Sequence, residues 1–357
     1  NPPVTVKALN GYDISKLWEM FAVGDSQISS RGKKKGQKRK VKVNKIQTEE
    51  NKDKTLRHDT ESCILADCNL CPRKCGAVRT AHSGNGFCKM GELPVVARVA
   101  PHYGEEPCIS GTKGSGTVFF SGCTMRCVYC QNYEISNEDG GRTITPERLA
   151  ECYKELEDKG VHNINLVTAD HFAHAVVKSL EIYKPRIPIV YNCSGYTSPK
   201  TLSMLDGLVD IYLPDFKYAD DFLAVKYSSA PNYVNTAVAA IHEMTFQVGL
   251  PQFDDDGIMK KGVIVRHLIL PAHTKNSLEV LDIVKRRFGD QVLLSLMCQY
   301  IPMGKVSDKE FSRINRKITR REYDKVKLEM MRLGIDGFTQ ELSSADESYV
   351  PEWDFEG

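Results

Sequence analysis

The feature that most constrains the fold is an alternation of short apolar segments and helical segments from Gly116 to Leu333. The apolar segments are rich in β-branched and aromatic residues and are apolar on both faces, as parallel strands covered by helices are. Strands are expected at 116–121, 162–168, 187–192, 208–213, 263–270 and 291–298, and helices at 145–159, 172–183, 198–205, 233–248, 277–288 and 320–333. Six successive β-α units predict an α/β fold, a barrel or a partial (β/α)6 barrel of the TIM type.

Polar residues follow several of the predicted strands directly. They are Cys123 to Cys130, Thr168 to His171, Asn192 to Gly195, and Asp215 to Lys217. Because the carboxyl ends of parallel strands meet at one face of such a fold, we expect one shared pocket there.

Twelve cysteines are present in 357 residues, and nine of them lie between Cys63 and Cys130. Residues Asn1 to Leu9 show no secretory signal, and no apolar run approaches the roughly 20 residues that span a bilayer. In a chain of this kind clustered cysteines favour metal binding over disulfides. The net charge of +2 gives no global attraction to nucleic acid or to a membrane. We therefore expect a cytoplasmic protein without membrane partners.

Cys123, Cys127 and Cys130 form a Cx3Cx2C motif directly after the first predicted strand. Three thiolates can hold three irons of a [4Fe-4S] cubane, whereas a closed site normally takes four. An iron with an open position can bind the amino and carboxylate groups of S-adenosylmethionine (SAM) and support its one-electron cleavage to a 5'-deoxyadenosyl radical, which abstracts hydrogen. The alternatives, a zinc loop or chance spacing, are disfavoured by the preceding strand, by Tyr129 and by the β-α series that follows.

The motif and several further segments resemble a known family. The segments are 68–76 (CNLCPRKCG), 102–107 (HYGEEP), 108–111 (CISG), 190–196 (VYNCSGY), 210–218 (DIYLPDFKY), 265–268 (VRHL) and 299–300 (QY). The sequence is similar to the radical SAM superfamily, and within it to the branch of the pyruvate formate-lyase activating enzyme and its PflX-like group. The resemblance implies an oxidoreductase that contains a [4Fe-4S] cluster and uses SAM. It also implies a reducing protein such as flavodoxin or ferredoxin and, in an activase-like version, a protein substrate.

The resemblance also implies roles for individual residues. Tyr129 is expected to contact adenine, Asp215 and Lys217 match an Asp-x-Lys motif near the methionyl end of SAM, and Arg266 matches an arginine that approaches SAM. An ordinary ion-pair network at the strand ends is the alternative for Asp215, Lys217 and Arg266.

Other positions depart from the pattern of the activases. A Gly-Gly-Glu segment is replaced by 167–171 (VTADH), so Thr168 and Asp170 are weaker candidates for cofactor binding, with His171 beside them. Asn192 stands where activases often place an acid, and Ser194 joins the same predicted cofactor-binding set. No catalytic side chain is assigned.

A second group of cysteines precedes the motif: Cys68, Cys71, Cys75 and Cys88. Four thiolates at this spacing fit tetrahedral zinc or a second Fe-S cluster, and reduced thiols remain a third alternative. Cys63 or Cys108 can replace one ligand.

The predicted organisation has four parts: a basic extension over 1–60, a cysteine-rich metal-binding segment over 61–112, a core barrel over 113–335 and a tail over 336–357. Nine lysines and arginines without an acid lie between Arg31 and Lys45, and this run is expected to be disordered. A competing hypothesis is a non-catalytic zinc-binding adaptor that contacts nucleic acid through this run. It leaves the Cx3Cx2C motif and the β-α units without a role, so nucleic acid is not the expected partner.

Overall fold

The computed structural model describes residues 67–137 and 140–342, Trp353, and the backbone of residues 7 and 8. The basic run between Arg31 and Lys45 therefore lies outside the described residues. The described strands form one sheet. They are β1 (Lys7–Ala8), β2 (Val95–His102), β3 (Ser115–Phe120), β4 (Arg142–Thr143), β5 (Ile164–Val167), β6 (Ile189–Cys193), β7 (Ile211–Pro214), β8 (Gln252–Phe253), β9 (Met259–Leu268), β10 (Leu293–Met297) and β11 (Gly337–Thr339).

Helices connect the strands and cover the sheet. They are α1 (Pro107–Ser110), α2 (Tyr133–Asn137), α3 (Pro146–Asp158), α4 (Ala173–Ile182), α5 (Pro199–Leu205), α6 (Asp221–Ser228), α7 (Tyr233–Val248), α8 (Thr274–Phe288) and α9 (Arg320–Arg332). Thr145 caps α3, accepting a hydrogen bond from the backbone N–H of Arg148, and Pro146 is the first helical residue. A side-chain cap followed by proline is a strong start signal, which explains why this boundary was predictable.

The centre of the sheet is parallel. Its strands follow the order β3-β5-β6-β7-β9-β10-β11, and every neighbouring pair in that order is parallel. Antiparallel strands extend both edges, β2 and β4 beside β3, and β1 beside β11. The two edges are different strands, so the barrel is open. The predicted α/β partial barrel is thus confirmed, with six β-α steps between β3 and β11.

All six predicted strands and six predicted helices are present, with ends that differ by a few residues. The elements that the prediction missed include β2, β11 and α6. Strand β2 contains Arg98 and Pro101 and is only partly buried, and β11 has three residues, so neither has a clear strand pattern. Helix α6 exposes Phe222 and Val225 while it buries Ala224 and Tyr227, so its apolar residues form no single stripe.

Two apolar clusters pack on opposite faces of the parallel strands. On the outer face Tyr191 and Tyr212 pack with the helices in the main core. On the inner face Val190, Ile211 and Ile264 pack against Ile109 of α1. Successive side chains of a strand point to opposite faces, so both faces of the sheet are apolar here. Helix α1 thus closes one part of the barrel interior, and the two residues before it are brought beside the strand ends.

Helix α9 begins with a reciprocal cap. The Thr319 side chain accepts from the Glu322 backbone N–H at 3.2 Å, and the Glu322 carboxylate accepts from the Thr319 backbone N–H at 2.8 Å. Thr319→Ala is therefore expected to lower the free energy of unfolding by about 1 kcal/mol, because one helix N–H loses its acceptor. Urea unfolding followed by far-UV circular dichroism measures the change. Thr319→Ser keeps the hydroxyl and should match the parent, and equal losses in both variants would contradict the cap.

Candidate active site

The loop that follows β3 carries the Cx3Cx2C motif. Cys123 and Cys127 are buried, Cys130 is partly buried, and all three line one cavity of about 230 Å³. The loop turns sharply because Gly122 and Arg126 adopt left-handed conformations, with φ of 78° and 58°. The Cys130 backbone N–H donates to the Cys127 carbonyl at 3.2 Å. The structure therefore brings the three predicted cluster ligands to one cavity.

Two backbone contacts hold this loop from outside the motif. The Val128 N–H donates to the carbonyl of Tyr227, near the end of α6, at 2.9 Å, and the Lys305 N–H donates to the Val128 carbonyl at 2.8 Å. A side chain at Gly304 would place its Cβ 2.5 Å from that same carbonyl oxygen. The middle of the loop is therefore fixed from two sides.

A single hydroxyl joins the carboxyl ends of β6 and β7. The Tyr233 proton is shared between the carbonyl oxygens of Ser194 and Asp215, each 3.0 Å away, and its oxygen accepts from the Lys217 N–H at 2.9 Å. The Lys217 ammonium contacts the Asp215 carboxylate at 2.5 Å. Burial opposes the charge of Lys217, but Asp215 and Cys127 hold its pKa well above the ordinary value. The predicted pair Asp215 and Lys217 thus stands as a charged pair on the cavity wall.

Arg266 is paired with two glutamates that the sequence analysis did not assign to the site. Its Nε donates to Glu106 Oε1 at 2.9 Å, its Nη2 donates to Glu106 Oε2 at 2.6 Å, and Nη2 also contacts Glu105. Burial favours the neutral form of Arg266, but the two carboxylates raise its pKa well above the ordinary value. Burial alone would raise the pKa of Glu105. The nearby Arg266 charge outweighs this effect, and the pKa of Glu105 lies below its ordinary value.

The glutamate pair also organises two asparagines. Asn165 Nδ2 donates to Glu105 Oε1 at 2.9 Å, and Asn192 Nδ2 lies 3.5 Å from the same oxygen. Asn192, which stands where activases often place an acid, therefore faces a carboxylate from the segment leading into α1. The sequence offered only one hint of this role, the two consecutive acids before Pro107.

Further polar residues line the cavity and were not predicted to do so; they are His102, Gln131, Asn132, Ser295, Gln299 and Gln340. Ser295 lies in β10, Gln299 follows β10, and Gln340 follows β11. The end of β11 could not be anticipated because that strand was not predicted.

The remaining predicted cofactor residues fall in two places. Tyr129, Thr168, Asn192 and Ser194 line the cavity, and Thr168 has a left-handed φ of 63°, which is unusual for a β-branched residue. Asp170 does not border the cavity; it is buried and accepts from the Thr197 hydroxyl at 2.5 Å. Burial raises the pKa of Asp170 to about 6.

The chemistry of the three cysteines fits an iron-sulfur cluster. Burial raises the pKa of Cys123 and of Cys127 to about 11, so free thiols at these positions stay protonated at neutral pH. Metal binding compensates the charge of a buried thiolate and releases the proton. Cys193 also borders the cavity, but its side chain packs in the outer core with Tyr191.

The upstream cysteines surround a second, much smaller pocket. Cys68, Cys71, Cys75 and Cys88 line a space of about 10 Å³, and Thr124 of the motif loop lines it too. The two pockets therefore share the 123–125 segment as a wall. All eleven cysteines in the described part of the chain are free thiols. As these side chains stand, no three His, Cys, Asp or Glu residues among those described are close enough to share a metal ion.

Two arginines connect the upstream segment to the barrel. Buried Arg79 donates to the carbonyl of His171 at 2.8 Å, and its Nη1 lies 3.8 Å from Cys68 Sγ. Arg73 donates to the carbonyl of Thr124 at 2.5 Å and stacks on Phe87. The cysteine-rich segment is thus attached to the loop that carries the Cx3Cx2C motif.

An open β-α barrel with three cysteines and charged residues at its strand ends is the arrangement of an iron-sulfur enzyme that binds SAM. A sequence profile described as the radical SAM superfamily matches residues 117–318. The chain therefore belongs to the radical SAM superfamily. Membership implies a [4Fe-4S] cluster, SAM and SAM-dependent radical chemistry.

Comparison with curated proteins finds uncharacterized protein MJ0674 of Methanocaldococcus jannaschii, which is 27% identical over 332 residues and covers 90% of this chain and 89% of its own. Among solved structures, methylornithine synthase (PylB) is 17% identical with a TM-score of 0.43, covering 61% of this chain and 62% of its own. Streptococcus suis SuiB bound to S-adenosylmethionine is 12% identical with a TM-score of 0.41, covering 63% of this chain and 50% of its own. The chain spans about half the length of SuiB. No helix of the described residues has the length and apolar character to cross a membrane.

The close approach of β6 and β7 gives a test of the site geometry. Gly195 has φ of 72°, and a Cβ at this position would clash with the Asp215 carbonyl oxygen. Gly207 has the same φ, but a Cβ there would have no atom within 4 Å. Alanine at either position is strained by the left-handed backbone. The free energy of unfolding should fall by about 1–3 kcal/mol more in Gly195→Ala than in Gly207→Ala, because only the first substitution also creates a clash. Urea unfolding of the two variants measures this difference, and equal losses would contradict the close approach.

Proposed function

We propose that this protein reductively cleaves SAM at a [4Fe-4S] cluster held by Cys123, Cys127 and Cys130 and abstracts hydrogen from a substrate in the adjoining cavity. The observation that carries the proposal is the opening of all three cysteines onto one cavity that the strand ends also line. When bound, a cluster held by these cysteines would supply the electron that cleaves SAM, a radical chemistry that side chains lack.

The chain's own residues are assigned to binding. The Asp215–Lys217 pair offers both signs of charge beside Cys127, which suits the amino and carboxylate groups of a zwitterion. Tyr129 offers a buried aromatic face for adenine. The Arg266 guanidinium is already satisfied by Glu105 and Glu106, so we assign it to fixing those carboxylates rather than to direct contact with SAM.

The carboxylates of Glu105 and Glu106 on the cavity wall indicate what kind of substrate group fits there. Glu105, Glu106 and Arg266 together carry one excess negative charge when ionised, and Asn192 and His102 border the same region. A polar substrate group fits this wall better than an apolar one. None of the described residues before His102 lines the cavity. The stretch from Cys68 to Cys88 therefore does not border the cavity, which keeps a protein substrate, as in an activase-like reaction, compatible with the site.

The electron has to come from outside the chain. We propose a small reducing protein, flavodoxin or ferredoxin, as the electron donor. We also propose a cytoplasmic location, where cysteines such as the free thiols of the described residues stay reduced.

Loss of one motif cysteine tests the proposal. Cys127→Ala should abolish formation of 5'-deoxyadenosine from SAM and dithionite under anaerobic conditions, because only two thiolates remain to hold the cluster. Chromatographic measurement of 5'-deoxyadenosine gives the result. Cys152→Ala removes a buried thiol of α3 outside both pockets and should retain the parent's product. Undiminished product from Cys127→Ala would refute the assignment.

We further propose that Cys68, Cys71, Cys75 and Cys88 hold one zinc ion. The pocket between them has room for about one water-sized sphere, which suits a single ion and not a cubane. Zinc with four thiolates carries two negative charges, and Arg73 and Arg79, which line the same pocket, would balance them. Burial raises the pKa of Cys71 to about 12, so binding would release protons and draw the thiols together.

Metal analysis of the anaerobically reconstituted protein tests this second site. We expect one zinc beside four irons per chain, and loss of the zinc with retention of the irons in Cys71→Ala. Cys152→Ala should keep both metals. Eight irons without zinc would show a second cluster instead, and the absence of any second metal would leave the four residues as reduced thiols.

A further inference from the structure

Three buried hydroxyls form a continuous hydrogen-bonded chain that ends at a cysteine of the motif. Ser228 Oγ donates to Cys127 Sγ at 2.9 Å, Ser228 Oγ lies 2.6 Å from Tyr218 Oη, and Tyr218 Oη lies 2.6 Å from Tyr129 Oη. Ser228 and Tyr218 are fully buried, and Tyr129 is 5% exposed. The hydroxyls of Ser228 and Tyr218 are therefore shielded from competing water.

The number of protons fixes the direction of this chain. A hydroxyl has one proton to donate. Because the Ser228 proton goes to the Cys127 sulfur, Tyr218 must donate to Ser228, and Tyr129 must in turn donate to Tyr218. All three O–H dipoles consequently point toward the sulfur.

We propose that Tyr129, Tyr218 and Ser228 act as a directed hydroxyl chain that raises the reduction potential of the cluster bound to Cys127. The inference rests on the proposed cluster at Cys123, Cys127 and Cys130. A reduced cluster carries one more negative charge than an oxidised one, and its sulfur ligands share that charge. Hydrogen bonds to those sulfurs therefore stabilise the reduced form more than the oxidised form.

In this hydroxyl chain Ser228 acts on the cluster through Cys127 and does not contact the substrate. Each hydroxyl polarises the next, so Ser228 donates more strongly than an isolated serine would. The fixed position of the loop supports this geometry, because the carbonyl of Tyr227, the neighbour of Ser228, also accepts from the Val128 N–H. The end of α6 thus contacts the motif loop through one backbone and one side-chain hydrogen bond.

A redox titration of the full-length protein tests the inference. The protein is reconstituted with iron and sulfide under anaerobic conditions, and its cluster is monitored by electron paramagnetic resonance. Ser228→Ala should lower the ratio of reduced to oxidised cluster about tenfold at a fixed solution potential, a shift of about 59 mV to more negative values. Ser228→Thr retains the hydroxyl and should restore the parent's potential. Ser203→Ala removes an exposed hydroxyl of α5 and should leave the potential unchanged.

A second variant covers the case in which Ser228→Ala does not bind its cluster. Tyr218→Phe leaves the Ser228 donor in place but removes the hydroxyl that polarises it, and it should shift the potential in the same direction by a smaller amount. Cluster-loaded variants with the parent's potential would overturn the hydroxyl chain while leaving the proposed function intact. Absence of a cluster from the parent itself would instead contradict the proposed function.

Discussion

The arrangement of this site depends on one physical constraint, the fixed position of a short loop that presents three cysteines at the end of a buried parallel strand. Met125 and Tyr129 of the loop pack in the main core, and Val128 is held by backbone hydrogen bonds with Tyr227 and Lys305 and by a close contact at Gly304. Burial makes the free thiolates unfavourable, which means that the same residues gain most from binding a metal. Burial of the three cysteines thus favours a metal-bound state.

The surrounding charges follow from the barrel. Parallel strands deliver their carboxyl ends to one face, so residues distant in sequence, such as Lys217 and Arg266, border the same cavity. The buried charges there are in contact with opposite charges: Asp215 pairs with Lys217, and Glu105 and Glu106 share Arg266. Such pairing lets the wall stay ionised although it is shielded from water.

The sequence predicted the parallel core well because its strands and helices have strong local signals. Thr145 before Pro146 is a cap that needs no tertiary context, and the cysteine spacing is read directly from the chain. Long-range pairing was not predictable in the same way. The glutamates at 105 and 106 gain their role only when α1 brings them beside Arg266, and Ser228 lies in a helix whose apolar residues show no stripe. Likewise Asp170 has a suitable side chain, but the turn after β5 directs it to Thr197.

The central claim is that the three cysteines leave one iron of a cubane free for SAM. Electron paramagnetic resonance of the anaerobically reduced protein, recorded with and without SAM, tests it most directly. The account predicts a [4Fe-4S] signal whose shape changes when SAM is added, because the cofactor becomes a ligand of the free iron. A signal that is identical with and without SAM, or a reduced protein that contains no cluster, would contradict it.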